Sequence, residues 1–297
     1  MPSIRMFRRV PPWTLAASAL VAALVLARTA PPRLVQGAAQ LREDLELDVK
    51  SEYSRIKVTR ANNTRTLWFV RDSSEEVIES RVDLQRPDDL LVEYTRFMFM
   101  SYAFRPNPQK VLIVGLGGGS MVHFLQRRDP GVKVDVVEID PVVVSIADRY
   151  FGVRSGGNVK IHVADGFEHL NTTEEKYDVI YMDAFLRPSG GTDKTGVPLH
   201  LKTLAFYDQL KKRLNPDGVV LFNLNPHPGD QNDIRTIREA FPNVYVFRLR
   251  NYSGYVVAAS TAAERMTATA IAAEAAEADA RLKAPFSLRA MAGRLAR

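Results

Sequence analysis

The stretch from Val111 to Asp140 constrains this chain more than any other: VLIVGLGGGS, a helical spacer, then VDVVEID. Val111 to Val114 form an unbroken apolar run, the pattern of a strand buried on both faces of a parallel sheet. Gly115, Gly117, Gly118 and Gly119 follow at once, and residues without a Cβ let the backbone turn tightly and pass close to a ligand. Met121 to Arg128 carry helical spacing, so the first N–H groups of that helix face the same place. The next strand, Val134 to Ile139, holds Glu138 near its end, nineteen residues beyond Gly119. Nucleotide-binding folds place there the carboxylate that accepts from a ribose diol. Glycines alone also fit a ligand-free strand–helix turn; the acid at this spacing is what favours a nucleoside site.

The rhythm continues downstream. Pro141 to Tyr150 is expected as a helix with proline in its first turn. Val159 to Val163 reads as a strand followed by Asp165-Gly166, and Tyr177 to Met182 as a strand followed by Asp183. Leu199 to Leu214 is expected as a helix, Asn215 to Gly218 as a turn, Val219 to Leu224 as a strand and Asp230 to Ala240 as a helix. Val244 to Leu249 and Gly254 to Ala259 flank Asn251-Tyr-Ser-Gly254, so they read as an antiparallel hairpin. A dinucleotide dehydrogenase would instead continue into a second βαβαβ half. The hairpin looks like the edge of a class I S-adenosylmethionine-dependent transferase.

Upstream of the central strand the pattern changes. Tyr53 to Arg60, Leu67 to Val70 and Val77 to Val82 are short strands of a β-rich appendage, with Asn62-Asn63 as a turn. Asp88 to Phe104 has helical spacing, and Leu91, Tyr94, Phe97, Met98 and Tyr102 are expected in the core. Pro31 to Glu46 reads as linker or short helix. Met266 to Lys283, rich in alanine, is expected as a helix, with a short basic helix from Ser287 to Leu295. The division expected is 1–33, 34–105, 106–260 and 261–297: an apolar leader, a small β domain with a helix, the nucleoside-binding domain and a helical cap.

Trp13 to Ala27 is fifteen residues without a charge, preceded by Arg5, Arg8 and Arg9. It is shorter than the ~20 apolar residues of a comfortable membrane span. A basic start and an apolar centre fit a signal peptide or an uncleaved anchor, and Val25-Leu26-Ala27 would serve as a cleavage site. An extension from an upstream start codon is the alternative. Membrane association through residues 13–27 is the expectation, with a cytoplasmic protein as the alternative; the side of the membrane stays open. The net charge of +6 comes from the ends, which hold five basic residues each and no acid, so the body between them stands at −4. A slightly acidic body argues against a nucleic-acid groove. With no cysteine in 297 residues, disulfides and thiol chemistry are excluded.

In open α/β sheets, ligands lie beyond the carboxyl ends of the strands. Neighbouring strand ends here carry the glycine turn, Glu138, Asp165 and Asp183. Donor and acceptor needs suggest the roles: Glu138 for the ribose hydroxyls, Asp165 for the adenine amino group, Asp183 for the acceptor side, within reach of the attacking atom. Gly115, Gly117, Gly119 and Gly166 complete the expected cofactor site. The five histidines share no metal-ligand spacing, and no metal is expected. No G-x-S-x-G elbow or P-loop lysine is present in the sequence.

SEYSRIKV, RPNPQKVLIVGLGGGS, VDVVEIDP, VKIHVADGFEHL, YDVIYMDAF and VPLHLKTLAFYDQLKKRLNPDGVVLFNLN together resemble the spermidine synthase-like family over about residues 51–260. The resemblance implies a small N-terminal β domain and a class I methyltransferase-type Rossmann domain. It implies S-adenosylmethionine or its decarboxylated form as cofactor, and the same roles for Glu138, Asp165 and Asp183. The departures from the family pattern are informative. Aminopropyltransferases carry GGGDGG, whose acid helps hold the cofactor's amino end; Gly118 stands in the acid's place. They carry a D-x-x-D pair for the polyamine; Asp183 is followed by Ala184, Phe185 and Leu186. Their Y-H-E aligns with Val92-Glu93-Tyr94. A dication loses paired attraction when its acids go. GLGGGS and EIDP look closer to the methyltransferase-like branch, and VPLHLKT resembles bacterial members with membrane-spanning N-terminal portions.

The expected function is therefore methyl transfer to a small-molecule or amine acceptor. The alternatives are an aminopropyltransferase whose acceptor site is rebuilt around Glu93 or Asp193, a non-catalytic nucleoside-binding protein tethered to a membrane, and, least favoured, an NAD-dependent oxidoreductase. The loop Arg187 to Gly196 is expected to close over the acceptor. A homodimer is a further expectation.

Overall fold

A computed structural model describes residues 43–251 and 253–296. The apolar segment at 13–27 lies outside them. Among the described residues, no helix is long and apolar enough to cross a membrane.

The chain begins with an antiparallel meander: β1 Asp44–Lys50, β2 Arg55–Ala61, β3 Thr64–Val70 and β4 Glu76–Asp83, in the order β1-β2-β3-β4. β1 overlaps the segment expected as linker up to Glu46. Its burial is mostly partial or absent, as for an outer strand, so it lacks the apolar alternation by which strands are read. The β2–β3 turn sits at Asn62, with φ of +54°, a conformation asparagine tolerates.

The segment expected as one helix from Asp88 to Phe104 divides. Asp83 accepts from Gln85 N–H and draws the chain into turns. Helix then forms only as α1 Glu93–Met98 and α2 Ser101–Phe104. Between them the N–H groups of Phe99 and Met100 donate three residues back, to Arg96 and Phe97, which tightens the backbone and ends the first helix.

The second sheet holds β5 Lys110–Val114, β6 Lys133–Glu138, β7 Val159–Val163, β8 Tyr177–Met182, β9 Leu214–Leu224, β10 Asn243–Arg248 and β11 Tyr255–Ser260. Their order is β10-β11-β9-β8-β5-β6-β7. β5 to β9 pair in parallel, while β11 runs antiparallel to both β9 and β10. The hairpin expected from the sequence is therefore present, with β11 inserted between β9 and β10. β5 buries both faces: Val111 and Ile113 belong to one core cluster, Leu112 and Val114 to the other.

Helices α3 Ser120–Arg128, α4 Pro141–Phe151, α5 Gly166–Thr172, α6 Leu204–Lys212 and α7 Asp230–Ala240 connect these strands. Then follow α8 Ala268–Leu282 and α9 Leu288–Ala292. α5 was not anticipated; Asp165 caps it by accepting from the N–H groups of Phe167 and Glu168. The helix expected from Leu199 to Leu214 is a 3₁₀ turn, Leu199–Lys202, then α6, capped by Thr203. Leu214 already belongs to β9. The Asn215–Gly218 turn is an irregularity inside that strand, with Asp217 at φ of +58° and a register shift against β8.

Candidate active site

Glu138, Asp165, Asp183, Gly115, Gly117, Gly119 and Gly166 line one cleft at the carboxyl ends of the parallel strands. About 880 Å³ of space lies between its walls, part of it open to solvent.

The glycine turn works differently from the sequence-based expectation. Gly115, Gly117 and Gly119 have φ of +100°, +53° and +72°. A Cβ on Gly115 would lie 2.1 Å from the Asp183 carbonyl oxygen, one on Gly117 2.6 Å from Ser80 Oγ, and one on Gly119 2.7 Å from Val153 Cγ2. At Gly166 it would meet Val114 Cγ1 at 2.6 Å. The room these glycines leave is filled by the protein itself, and the backbone they free to bend forms the cleft floor. Gly118, in the place of the family's acid, donates its N–H to Ser80 Oγ at 2.8 Å, and a Cβ there would meet Ser80 Cβ at 2.9 Å.

Glu138 is 8% exposed and ties the turn together. Its Oε2 accepts from Leu116 N–H and its Oε1 from Asp140 N–H, each at 2.9 Å. Burial raises its pKa, against the pull of those two N–H groups. Each oxygen keeps a second lone pair, the acceptor capacity a vicinal diol requires. Asp165 caps α5 through Oδ1, with Phe167 N–H at 2.7 Å, leaving Oδ2 for the cleft.

Asp183 follows β8, the middle strand of the sheet. Its own N–H donates to Val114 O at 2.9 Å. Tyr94 Oη donates to Oδ2 at 3.0 Å and Asn223 Nδ2 to Oδ1 at 2.9 Å. Burial pushes the carboxyl up to about 6, less than it would without the Asn223 and Tyr94 bonds. Tyr94, expected only as core, thus belongs to the site, and so does Asn223, for which the sequence offered no sign. Asn223 Oδ1 is buried and without a partner, an acceptor that a substrate N–H would satisfy.

Glu79 was also missed. It lies on β4 and lines both this cleft and a neighbouring cavity of about 1190 Å³ on the same measure, which Tyr94 and Phe185 also line. Burial, then the nearby Asp183 charge, push its carboxyl up to about 8, with Arg71 opposing. A single glutamate in an alternating strand reads as solvent-facing, which is why pattern alone passes over it.

The two acids considered for a rebuilt polyamine site are engaged elsewhere. Glu93 accepts from the N–H groups of Arg250 (2.9 and 3.0 Å) and Asn251 (2.7 Å). Asp193 Oδ1 accepts from Thr195 N–H and Oγ1, Gly196 N–H and Val197 N–H, and Oδ2 binds Lys202. Ala184, Phe185, Leu186, Pro198 and Leu201 give the side of the cleft next to Asp183 an apolar wall.

The sheet order with its antiparallel final pair defines a class I methyltransferase-type fold. Human methyltransferase-like protein 13, solved in complex with SAH, superposes with a TM-score of 0.60 at 25% identity, over 66% of this chain and 95% of that one. A probable spermidine synthase from Corynebacterium glutamicum superposes at 0.63 and 22% identity, over 84% of this chain and 95% of that one. A family model described as the spermine/spermidine synthase domain matches residues 93–278. A polyamine aminopropyltransferase of Vibrio vulnificus is 32% identical over 211 residues, 69% of this chain and 68% of its own length. The eEF1A lysine and N-terminal methyltransferase of Xenopus laevis is 31% identical over 173 residues, 54% of this chain but 25% of its own length. The chain belongs to the spermine/spermidine synthase family, and with it to the S-adenosylmethionine-type transferases.

Proposed function

We propose that the protein transfers a methyl group from S-adenosylmethionine to an amine nitrogen. The observation that carries this reading is Asp183: one carboxylate at the tip of the central strand, held at both oxygens, pushed up to about 6, and facing an apolar wall where the family's second acid is replaced by Leu186. One oriented base with a pKa near neutrality suits removal of a single proton from a nitrogen.

The residues present fit such a donor. Glu138 has lone pairs for the ribose, and Asp165 Oδ2 is open to the adenine amino group. α3 has no side-chain cap, and its first residues Ser120, Met121 and Val122 line the cleft. Uncapped N–H groups there favour a carboxylate, which S-adenosylmethionine carries and its decarboxylated form lacks. When bound, the donor supplies an electrophilic carbon beside its sulfonium, so that a C–S bond breaks as the N–C bond forms and the electron pair passes to sulfur. Asp183 receives the nitrogen's proton; Tyr94 and Asn223 keep its oxygens aimed. The Phe185–Leu186 wall excludes water from the reacting atoms.

A second reading, aminopropyl transfer, is favoured by Glu79. With Asp183 it gives two acids in one cleft, as a polyamine would require. Calorimetry with S-adenosylmethionine against its decarboxylated form separates the two readings. Preference for S-adenosylmethionine is expected; preference for the decarboxylated form with putrescine turnover would overturn the methyl reading.

A further inference from the structure

Four polar side chains gather just past the ends of β8 and β9, behind the apolar wall. Lys202 Nζ contacts Asp193 Oδ2, lies 2.5 Å from Asp233 Oδ2 and 3.3 Å from His227 Nε2. All four are nearly buried, with side chains 8–12% exposed. Asp193, His227 and Asp233 alone have the geometry of a three-ligand cation site. The histidine decides what that cation is. Gly229 N–H donates to His227 Nδ1 at 3.1 Å, so the ring proton sits on Nε2, from which it points to Asp233 Oδ2 at 2.8 Å. A protonated Nε2 cannot ligate a metal. The slot is built for an ammonium, and Lys202 fills it.

Asp193 connects this slot to the cleft. One of its oxygens takes the lysine; the other gathers the Thr195–Val197 turn. That turn presents Gly196 O to Leu186 N–H at 2.9 Å, and Gly196 packs so closely that a Cβ would lie 2.1 Å from Leu186 O. Leu186 is the residue standing where the family has its second acid. We infer that Lys202 is a positioning residue: through Asp193 it sets the Phe185–Leu186 wall, and so the size and polarity of acceptor the enzyme admits. The inference about acceptor choice rests on the transferase reading above; the latch itself does not. Removing the lysine leaves two buried carboxylates facing each other without a cation, which is unfavourable enough to drive the loop off its seat.

The experiment compares Lys202→Ala, Lys202→Met and Lys202→Arg in the full chain. Its main readout is trypsin cleavage after Lys194, an exposed site in this loop; Arg187 is followed by Pro188, which resists trypsin. Cleavage at Lys194 is expected to accelerate by about tenfold or more in the alanine and methionine variants, as a local opening event becomes easier. Lys202→Arg is expected to stay near the parent. Methylammonium added to Lys202→Ala is expected to slow cleavage again, whereas zinc is not. Binding of S-adenosylhomocysteine by calorimetry, which reads the cleft floor, is expected to stay within about threefold of the parent. Unchanged cleavage in the alanine variant, a methionine variant that behaves like the parent, or rescue by zinc and not by methylammonium would each overturn the latch. Should the alanine variant fail to fold, the same comparison is read from Lys202→Met combined with Asp193→Asn and Asp233→Asn. That triple change removes the cation together with the charges it compensates; a loop open in Lys202→Met and closed again in the triple variant supports the latch, and a loop closed in both overturns it. Loss of S-adenosylhomocysteine binding in the parent itself would strike the transferase reading and leave the latch standing.

Discussion

Tyr94 donates its phenol to Asp183 Oδ2 at 3.0 Å, so a residue of the short helix between the two sheets holds the carboxylate that follows the central strand. The bond favours the ionised form of an acid that burial otherwise pushes up to about 6. On the proposed reading Asp183 takes the acceptor's proton and must be ionised to do so, so kcat/KM is expected to rise with pH through about 6. Tyr94→Phe removes one stabilising donor from the anion and moves that rise to higher pH, by about one unit. Asp183→Asn is expected to lower kcat by about 10²–10⁴-fold while leaving donor binding nearly intact. A pH–rate profile of the three proteins, with calorimetry for the donor, checks all of this.

Two glycines in the left-handed region should respond very differently to alanine. Gly115→Ala places a Cβ 2.1 Å from backbone at Asp183, where nothing flexible can give way. The expected loss is about 4 kcal/mol or more of stability, together with donor binding. Gly152, the C-cap of α4 with φ of +73°, has nothing within 4 Å of its would-be Cβ. Gly152→Ala is expected to cost about 1 kcal/mol, the backbone preference alone, with donor binding kept. Urea unfolding of the two variants measures the contrast.

Glu79 stores a pH-dependent liability. Its carboxyl stands at about 8 in the folded protein against an ordinary value of 4.5. Between these values the folded state keeps a proton that the unfolded chain releases, so stability falls as pH rises, by at most about 1.4 kcal/mol per unit. Glu79→Gln removes the effect. The variant is expected to match the parent at pH 5 and to exceed it at pH 8, by about 1–2 kcal/mol once water in the cleft is allowed for. Denaturation midpoints across that range test it; a parent that gains on the variant as pH rises would contradict a raised pKa.

The parallel core and the acids at its edge were legible because both are written in short range. A strand-length run rich in β-branched residues marks a strand, and an acid at or within two residues of its end means a group near the tip. Glu138, Asp165 and Asp183 were placed this way. Tyr94, Asn223 and Glu79 were not, because Tyr94 and Glu79 reach the cleft, and Asn223 reaches Asp183, from elements whose placement depends on tertiary packing. The glycines were found for a reason the structure revises: Ser80 and Val153 are far off in the chain, so no local pattern shows that they occupy the space the missing Cβ atoms leave. The Lys202 slot escaped for the same cause, since Asp193, Lys202, His227 and Asp233 have no metal-type spacing and meet only once α7 packs beside the loop.

Ser80 Oγ receives the Gly118 N–H, and Ser51 Oγ donates to Asp140 Oδ2 at 2.5 Å. The meander is therefore stitched to the bend and to the start of α4. Anyone trimming this protein to its nucleotide-fold half, or grafting that half onto another scaffold, would keep Glu138, Asp165 and Asp183 but lose Glu79 and the clamp that shapes the cleft. The smallest transferable unit includes the meander from Ser51 onward.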